Sequence, residues 1–216
     1  MTPDLEAALA ELPIFPLPRL VFFPDTILPL HIFEPRYRAM IADCLRTHGA
    51  LAVVRIREGD DPDEYGNARV ESISGAGVIV EHETMADGRT NLLLAGRARV
   101  RLEELPFVGP YRRAHATILE SVAGPIPESD RTALVAAATA FAREVKKRDD
   151  TFHFDLPVKA SAPCLADVCA AHLVIDADAR QAALEELDEG KRVRLVTREL
   201  ALQENAFSSR DKRVLN

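Results

Sequence analysis

The chain has 216 residues, 47% of them hydrophobic, which is enough for the core of one large domain or two small ones. Its formal net charge of −7 disfavours binding to nucleic acid and to anionic membranes. The N-terminal residues are acidic and no apolar run approaches the thickness of a bilayer, so we expect neither a signal peptide nor a membrane span.

Residues 12–45 organise the first half of the chain. Four prolines in this stretch before Thr26 break it into short extended segments, because proline fixes φ and biases the preceding residue towards β. A strand is predicted over residues 26–32, with Pro29 marking an edge or a kink. Phe22 and Phe23 are adjacent, so an extended backbone directs them to opposite sides. We expect one to lie in the core and the other to be exposed as a docking surface.

A helix is predicted to begin at Pro35, because proline is tolerated in the first turn. Gly49, just past its end, suits a C-terminal cap. Arg36 and Arg38 fall on the polar face, where they are candidates to contact a bound polypeptide. The apolar face has the i, i+3, i+4 spacing of a helix and consists of Tyr37, Met40, Ile41, Cys44 and Leu45.

Short strands follow as far as residue 119. Residues 51–56 are typical of a strand buried on both faces, and two further strands flank a hairpin turn at Asp87-Gly88. We expect Gly75 and Gly77 to flank a bend and Gly96 to break a strand. The number and spacing of these strands predict a small barrel or sandwich.

Three arginines, Arg97, Arg99 and Arg101, alternate with apolar residues in one of these strands. Such a row could form a nucleic-acid patch, and RNA binding is therefore an alternative function. No aromatic residues interleave with the arginines for base stacking, and Glu103 and Glu104 follow directly. A solvated face of mixed charge is the interpretation we favour, and a nucleic-acid partner is not expected.

After residue 119 a linker rich in proline, glycine and serine leads into a helical half. Ser129 is predicted to cap a helix that runs to about residue 147, Pro163 to open a second and Asp176 to cap a third. The last helix is expected over about residues 190–203. Residues 121–216 therefore predict a small helical bundle.

The sequence contains no phosphate-binding GxxxxGK[ST] loop and no GxSxG nucleophile elbow. Cys164, Cys169 and His172 come nearest to a metal-ligand set, but they lack a fourth ligand and a CxxC pair. We favour the interpretation that Cys169 and His172 belong to a buried helix stripe. No enzyme activity, metal or cofactor is expected, and the odd number of cysteines (with Cys44) fits reduced thiols in the cytoplasm.

Several motifs, in order, closely resemble the N-terminal substrate-binding domain of Lon proteases. The first half contains PIFPL, VFFP, ILPLHIFEPRYRAM, SGAGVI, DGR with LLLAGRARV, and PYRRA. The helical half contains LADVCAAHL, QAALEELD and RVRL. Several motifs in the right order make this resemblance more specific than any one of them.

The resemblance implies an α+β fold: a PUA-like β-barrel with one inserted helix over residues 1–120, then a helical bundle over 121–216. It implies a non-catalytic module that recognises unfolded or damaged polypeptide, and we expect a free-standing one without ATPase or protease modules. Its partner would be unfolded polypeptide or another protein, contacted through Phe22, Phe23, Arg36 and Arg38. A third hypothesis, a small-molecule hydrolase, requires a deep pocket lined by converging titratable groups.

Overall fold

The computed structural model describes residues 3–214, with side chains described as far as Ser208. The chain divides into two compact units between Glu120 and Ser121. The first unit is mainly β and the second is helical, so the predicted α+β fold class is confirmed. That the two units are separate domains stays a prediction.

The six strands of the first unit form one sheet in the order β2-β5-β4-β3-β1-β6, and β6 also pairs with β5. The pairings β5-β4-β3-β1-β6-β5 therefore close into a ring, as a small barrel requires, while β2 extends the sheet from β5. Strands β1 and β3 are parallel and the other pairs are antiparallel. The elements are a 3-10 helix at Glu6–Glu11, β1 Leu12–Pro18, β2 Ile27–Ile32, α1 Pro35–Arg46, β3 Ala50–Ile56, β4 Ile73–Thr84, β5 Thr90–Glu104 and β6 Arg113–Leu119.

Strand β5 is long enough to pair with two strands along the same edge. Its first part pairs with β2 and its last part with β6, and Gly96 lies between them. The prediction that Gly96 breaks the strand is wrong, because β5 continues through it. Strand β4 is also continuous, but its register with β5 shifts between Ala76 and Gly77, so a β-bulge lies where Gly75 and Gly77 were expected to flank a bend. A Cβ atom on Gly96 would lie 2.1 Å from the Phe23 carbonyl oxygen, so this glycine permits a close crossing of two backbones.

Two apolar clusters fill the first unit. One is formed by residues of the strand ring and the 3-10 helix, including Leu12, Ile14 and Val100. The other joins α1 to β2, β4 and β5: the helix contributes Tyr37, Met40, Ile41 and Cys44, and the strands contribute Ile32, Ile79, Leu92 and Leu94. The predicted apolar face of α1 is therefore confirmed. So is its cap, because Gly49 has φ +64° and its N–H donates to the Cys44 carbonyl at 2.7 Å.

The second unit contains α2 Glu128–Lys146, α3 Ala162–His172, α4 Ala177–Glu185 and α5 Glu189–Val214. Asp176 caps α4 as predicted, since its Oδ1 accepts from the Ala179 N–H at 2.8 Å. The predicted cap at Ser129 is wrong, because α2 begins at Glu128 and has Pro127 at its N-cap. None of the helices within residues 3–214 is long and apolar enough to cross a bilayer.

A buried ion pair lies in the interior of the second unit. The Arg192 Nε lies 3.1 Å from the Asp167 Oδ1, and the two side chains are 2% and 5% exposed. Arg192 Nη1 also donates to the Glu186 carbonyl at 2.6 Å. This pair joins α3, α5 and the segment that leads into α5, and removing either partner would leave the other charge buried.

Candidate functional site

A cleft of about 510 Å³ opens in the first unit, and we call it the β1–β2 cleft. Three elements line it. Strand β1 contributes Phe15–Pro18, β2 contributes Leu30 and His31 and is followed by Phe33 and Glu34, and α1 contributes Arg36 and Tyr37. Ile56 at the end of β3, residues 66–68 and Arg112 complete its lining. The cleft therefore lies where the proline-rich start of the chain meets the beginning of its first helix.

The apolar part of the cleft combines two buried rings with one exposed ring. Phe15 and Tyr37 pack edge to face with their centroids 4.5 Å apart, and both are mostly buried. Phe33 is 60% exposed. A large exposed aromatic next to a fixed apolar surface is able to bury itself against a ligand side chain.

The charges in the cleft are nearly balanced. The Arg36 guanidinium lies 4.5 Å from the centre of the Tyr37 ring and 2.9 Å from the Glu34 carboxylate. Burial raises the pKa of the Tyr37 hydroxyl above its usual value, and the positive charge of Arg36 opposes that rise. The phenol is therefore neutral near pH 7, and the cleft favours an apolar or weakly charged ligand.

Arg112 fixes one wall of the cleft. Its Nη2 donates to both carboxylate oxygens of Glu104 at 2.6 Å, and its Nη1 donates to the Ala68 carbonyl at 2.8 Å. Bidentate pairs of this kind are geometrically specific. The bond to Ala68 therefore ties the segment between β3 and β4 to the sheet, while the pair with Glu104 fixes the arginine, so this wall is held in place.

Prolines occupy the open strand edges at the cleft. Past Pro13, β1 has no strand partner, among the described residues, on the side away from β3. The Ile14 N–H donates to Arg112 on that side, and amides two residues apart point the same way, so the nitrogens of Pro16 and Pro18 face it too. Pro29 lies in the middle of the edge strand β2. Because proline has no N–H, these edges offer few donors to an added strand, and a ligand must be held mainly through side chains.

The structure changes the role of two predicted site residues. Phe22 and Phe23 are 2% and 0% exposed, so the expectation that one of them is exposed is wrong. The segment that carries them crosses the sheet where Gly75 and Gly96 allow close backbone approach, which covers both rings. Neither ring has the exposed surface needed to touch a ligand directly.

The two predicted arginines lie on different surfaces. Arg36 lines the β1–β2 cleft, whereas Arg38 lies against the Asp87-Gly88 turn, where a Cβ on Gly88 would meet its guanidinium. Sequence reasoning did not select Phe33. Its signal was available: Phe33 follows Ile32 directly at the end of a strand, so only one of the two can point into the core.

Two other predicted groups give no site. Arg99 is 4% exposed while Arg97 and Arg101 are exposed, so the three arginines do not form a continuous surface row. Within the described chain, no cluster of three or more His, Cys, Asp or Glu residues has metal-binding geometry. His172 is exposed, so the expectation that it points inward is wrong, while burial of Cys169 raises the pKa of its thiol to about 12.

Comparisons with known proteins match most of this chain to one family. A family model described as the ATP-dependent protease La (LON) substrate-binding domain matches residues 11–201. "Lon protease 2" of Myxococcus xanthus is 30% identical over 193 residues, which cover 86% of this chain and 23% of that protein. "Lon protease" of Anaeromyxobacter dehalogenans is 28% identical over 195 residues, 87% of this chain and 22% of that protein. The chain thus spans less than a quarter of the length of these relatives.

Two solved structures share the fold. One is the "Lon N-terminal domain protein from Xanthomonas campestris", with a TM-score of 0.63 and 21% identity over 85% of this chain and 95% of that one. The other is the N-terminal domain of the Mycobacterium avium complex Lon protease, with a TM-score of 0.64 and 15% identity over 88% of this chain and 98% of that one. At these identities the likeness is one of fold.

Proposed function

We propose that this chain is a non-catalytic module that binds segments of unfolded polypeptide in the β1–β2 cleft. The proposal starts from its family, since the chain belongs to the substrate-binding domain family of the ATP-dependent protease La (Lon). The observation that carries the proposal is the exposed Phe33 beside the packed Phe15–Tyr37 pair. Unfolded chains present apolar side chains that native proteins bury, so such a cleft favours them.

The size of the cleft argues for contact over several residues of the ligand. Burying one large apolar side chain contributes about 1.5–3 kcal/mol, whereas millimolar binding already requires about 4 kcal/mol. One inserted side chain is therefore too weak to hold a segment. We propose that a second contact is made at the rim, where the Arg36 guanidinium and the exposed Phe33 ring lie.

We propose binding without catalysis because the family model that matches this chain describes a substrate-binding domain. Delivery of the bound polypeptide to an ATP-dependent protease is part of this proposal. A cytoplasmic location is also proposed, because none of the three cysteines is paired in a disulfide. RNA binding has no support in the arrangement of the arginines.

The test is a binding titration with one model protein in two forms, native and permanently unfolded by reduction and carboxymethylation. The wild-type chain is expected to bind the unfolded form selectively. Phe33→Ala is expected to weaken that binding about tenfold, in the range of an aromatic hot spot. Because Phe33 is largely exposed, this variant is expected to keep its folding stability.

Two matched variants control the experiment. Ile175→Ala removes an equally exposed side chain from the helical unit (Ile175 is 54% exposed) and is expected to leave binding unchanged. Arg36→Ala is expected to weaken binding more than Arg38→Ala, since only Arg36 lines the cleft. Equal affinity for the native and unfolded forms would refute the proposed function, and equal losses in the two arginine variants would extend the site to the Arg38 surface.

A further inference from the structure

The extended part of the sheet has a second face that the family comparison does not describe. Strand β2, the first part of β5 and the last part of β4 form a three-stranded wing, residues 27–32, 90–95 and 79–84. One face of this wing packs against α1 through Ile79, Leu92 and Leu94. The opposite face, which we call the outer wing face, contains a shallow hollow of about 380 Å³.

The strand register places two rows of cross-strand partners on the outer wing face. Pro29 pairs with Leu93, which pairs with Glu81; His31 pairs with Asn91, which pairs with Glu83. Cross-strand partners share a face of the sheet. One row is apolar as far as Leu93 and the other is polar, both end at a glutamate of β4, and the His31 and Asn91 side chains are joined by a 2.6 Å hydrogen bond.

The charge on this face is of one sign. Glu81 and Glu83 are both exposed, and within the described residues neither forms an ion pair. No lysine or arginine lines the hollow. Apolar atoms are also left in contact with water there: Pro29 is exposed and Leu93 is half-buried, and Ile27, two residues before Pro29 in β2, is 51% exposed.

We propose that the outer wing face docks a basic amphipathic helix of a partner polypeptide, whose apolar side covers Pro29 and Leu93 and whose lysine or arginine residues meet Glu81 and Glu83. Charge complementarity identifies the occupant as basic. This surface adjoins the β1–β2 cleft along β2, where Leu30 and His31 line both, but its other residues are different and the proposal does not depend on the proposed function.

The dimensions of the face fit a helix. Three strands span two gaps of about 4.8 Å, or about 10 Å, which is close to the diameter of an α-helix with its side chains. Glu81 and Glu83 are two residues apart in a strand, about 6.8 Å, and basic residues at positions i and i+4 of a helix are about 6 Å apart along its axis. A partner strand is less suited, because Pro29 removes a donor from the open edge of β2.

The experiment uses the full chain and a synthetic amphipathic helical peptide with leucines on one face and two lysines four residues apart. Affinity is measured by fluorescence anisotropy at low and at high salt. The wild-type chain is expected to bind this peptide about tenfold more tightly than the same peptide with glutamates in place of the lysines. Because the charges are exposed, the difference is expected to shrink at high salt.

The double variant Glu81→Lys/Glu83→Lys is expected to lose about tenfold in affinity for the basic peptide. Glu6→Lys/Glu103→Lys makes the same change of net charge at exposed positions off the wing and is expected to stay within twofold of the wild type. Leu93→Ala is expected to weaken binding of both peptides, since it removes apolar contact rather than charge.

Three outcomes would overturn the inference. The first is equal binding of the basic peptide to the wild type and to Glu81→Lys/Glu83→Lys. The second is loss of the peptide in Phe33→Ala with retention in the glutamate variant, which would place the peptide in the cleft and leave the proposed function standing. The third is a wild-type dimer in sedimentation that the glutamate variant abolishes, since a second copy would then cover the face.

Discussion

Gly75 and Gly96 illustrate how much of the first unit depends on missing side chains. A Cβ on either would lie 2.1 Å from a carbonyl oxygen, of Phe22 and Phe23 respectively. Such a contact is far inside van der Waals distance and involves backbone, which cannot rotate away. The crossing of residues 21–24 over the sheet, and with it the burial of both phenylalanines, therefore requires glycine at these two positions.

Gly96→Ala is expected to destabilise the protein by about 2–4 kcal/mol, because the two backbones must separate to admit a methyl group. Urea denaturation measures the free energy of unfolding. Gly124→Ala is the matched control, since a Cβ there meets nothing within 4 Å, and it is expected to change stability by less than about 0.5 kcal/mol. Equal, small effects in the two variants would contradict the close crossing.

The same residues show where sequence reasoning stops at this scale. A glycine in a strand pattern signals either an interruption or a close approach of backbone, and the local sequence is the same for both. Whether the glycine interrupts the strand or permits a close approach depends on residues 21–24, which are distant from Gly75 and Gly96 along the chain. For that reason both Phe22 and Phe23 are buried although the extended backbone sends their side chains in different directions.

At the scale of the element, helix α1 was predicted well at both ends, whereas the start of α2 was not. Helix α1 begins at Pro35 and ends before Gly49 as expected, because cap, pattern and proline agree. Helix α2 begins at Glu128, one residue before the serine that was expected to cap it. Pro127 and the acidic first turn, with Glu128 and Asp130, supply a different start for this helix.

The starts of α4 and α2 can be tested with one substitution in each helix. Asp176→Ala is expected to cost about 1 kcal/mol of stability, because the Ala179 N–H loses its acceptor. Ser129→Ala is expected to cost less than about 0.5 kcal/mol, since Ser129 lies inside the first turn and does not cap it. Thermal or urea unfolding of the two variants compares them directly, and a larger loss in Ser129→Ala would contradict the observed helix start.

At the scale of the whole molecule, the sequence pattern changes from strand to helix near residue 120, where the chain divides into its compact units. Composition and the order of motifs were enough to predict the fold class and the family. The proposed binding surfaces were harder to predict, since the β1–β2 cleft is assembled from β1, β2, α1, the end of β3 and the residues near 67 and 112. Which exposed side chains converge depends on long-range strand pairing, and no local pattern encodes it.

The independence of the two units can be tested through their buried charges. Arg192→Met is expected to destabilise the helical unit by about 3–5 kcal/mol, because it removes the cation that lies 3.1 Å from the buried Asp167 carboxylate. Hydrogen exchange on the full chain is then expected to speed up in α3 and α5 while β3 and β5 keep their protection.

The double variant Arg192→Met/Asp167→Leu serves as the control. Replacing both charges by apolar groups is expected to restore most of the lost stability. Loss of protection in both units together would show that they unfold as one, and the prediction of two domains would then be wrong.

The prolines at the open edges of β1 and β2 also bear on how this protein behaves at high concentration. An unprotected strand edge is a template on which identical chains stack into cross-β fibrils. Pro16, Pro18 and Pro29 interrupt that template at the two edges nearest the cleft. Under the proposed function, aggregation-prone chains would therefore be held next to strand edges that seed neither their assembly nor that of this protein.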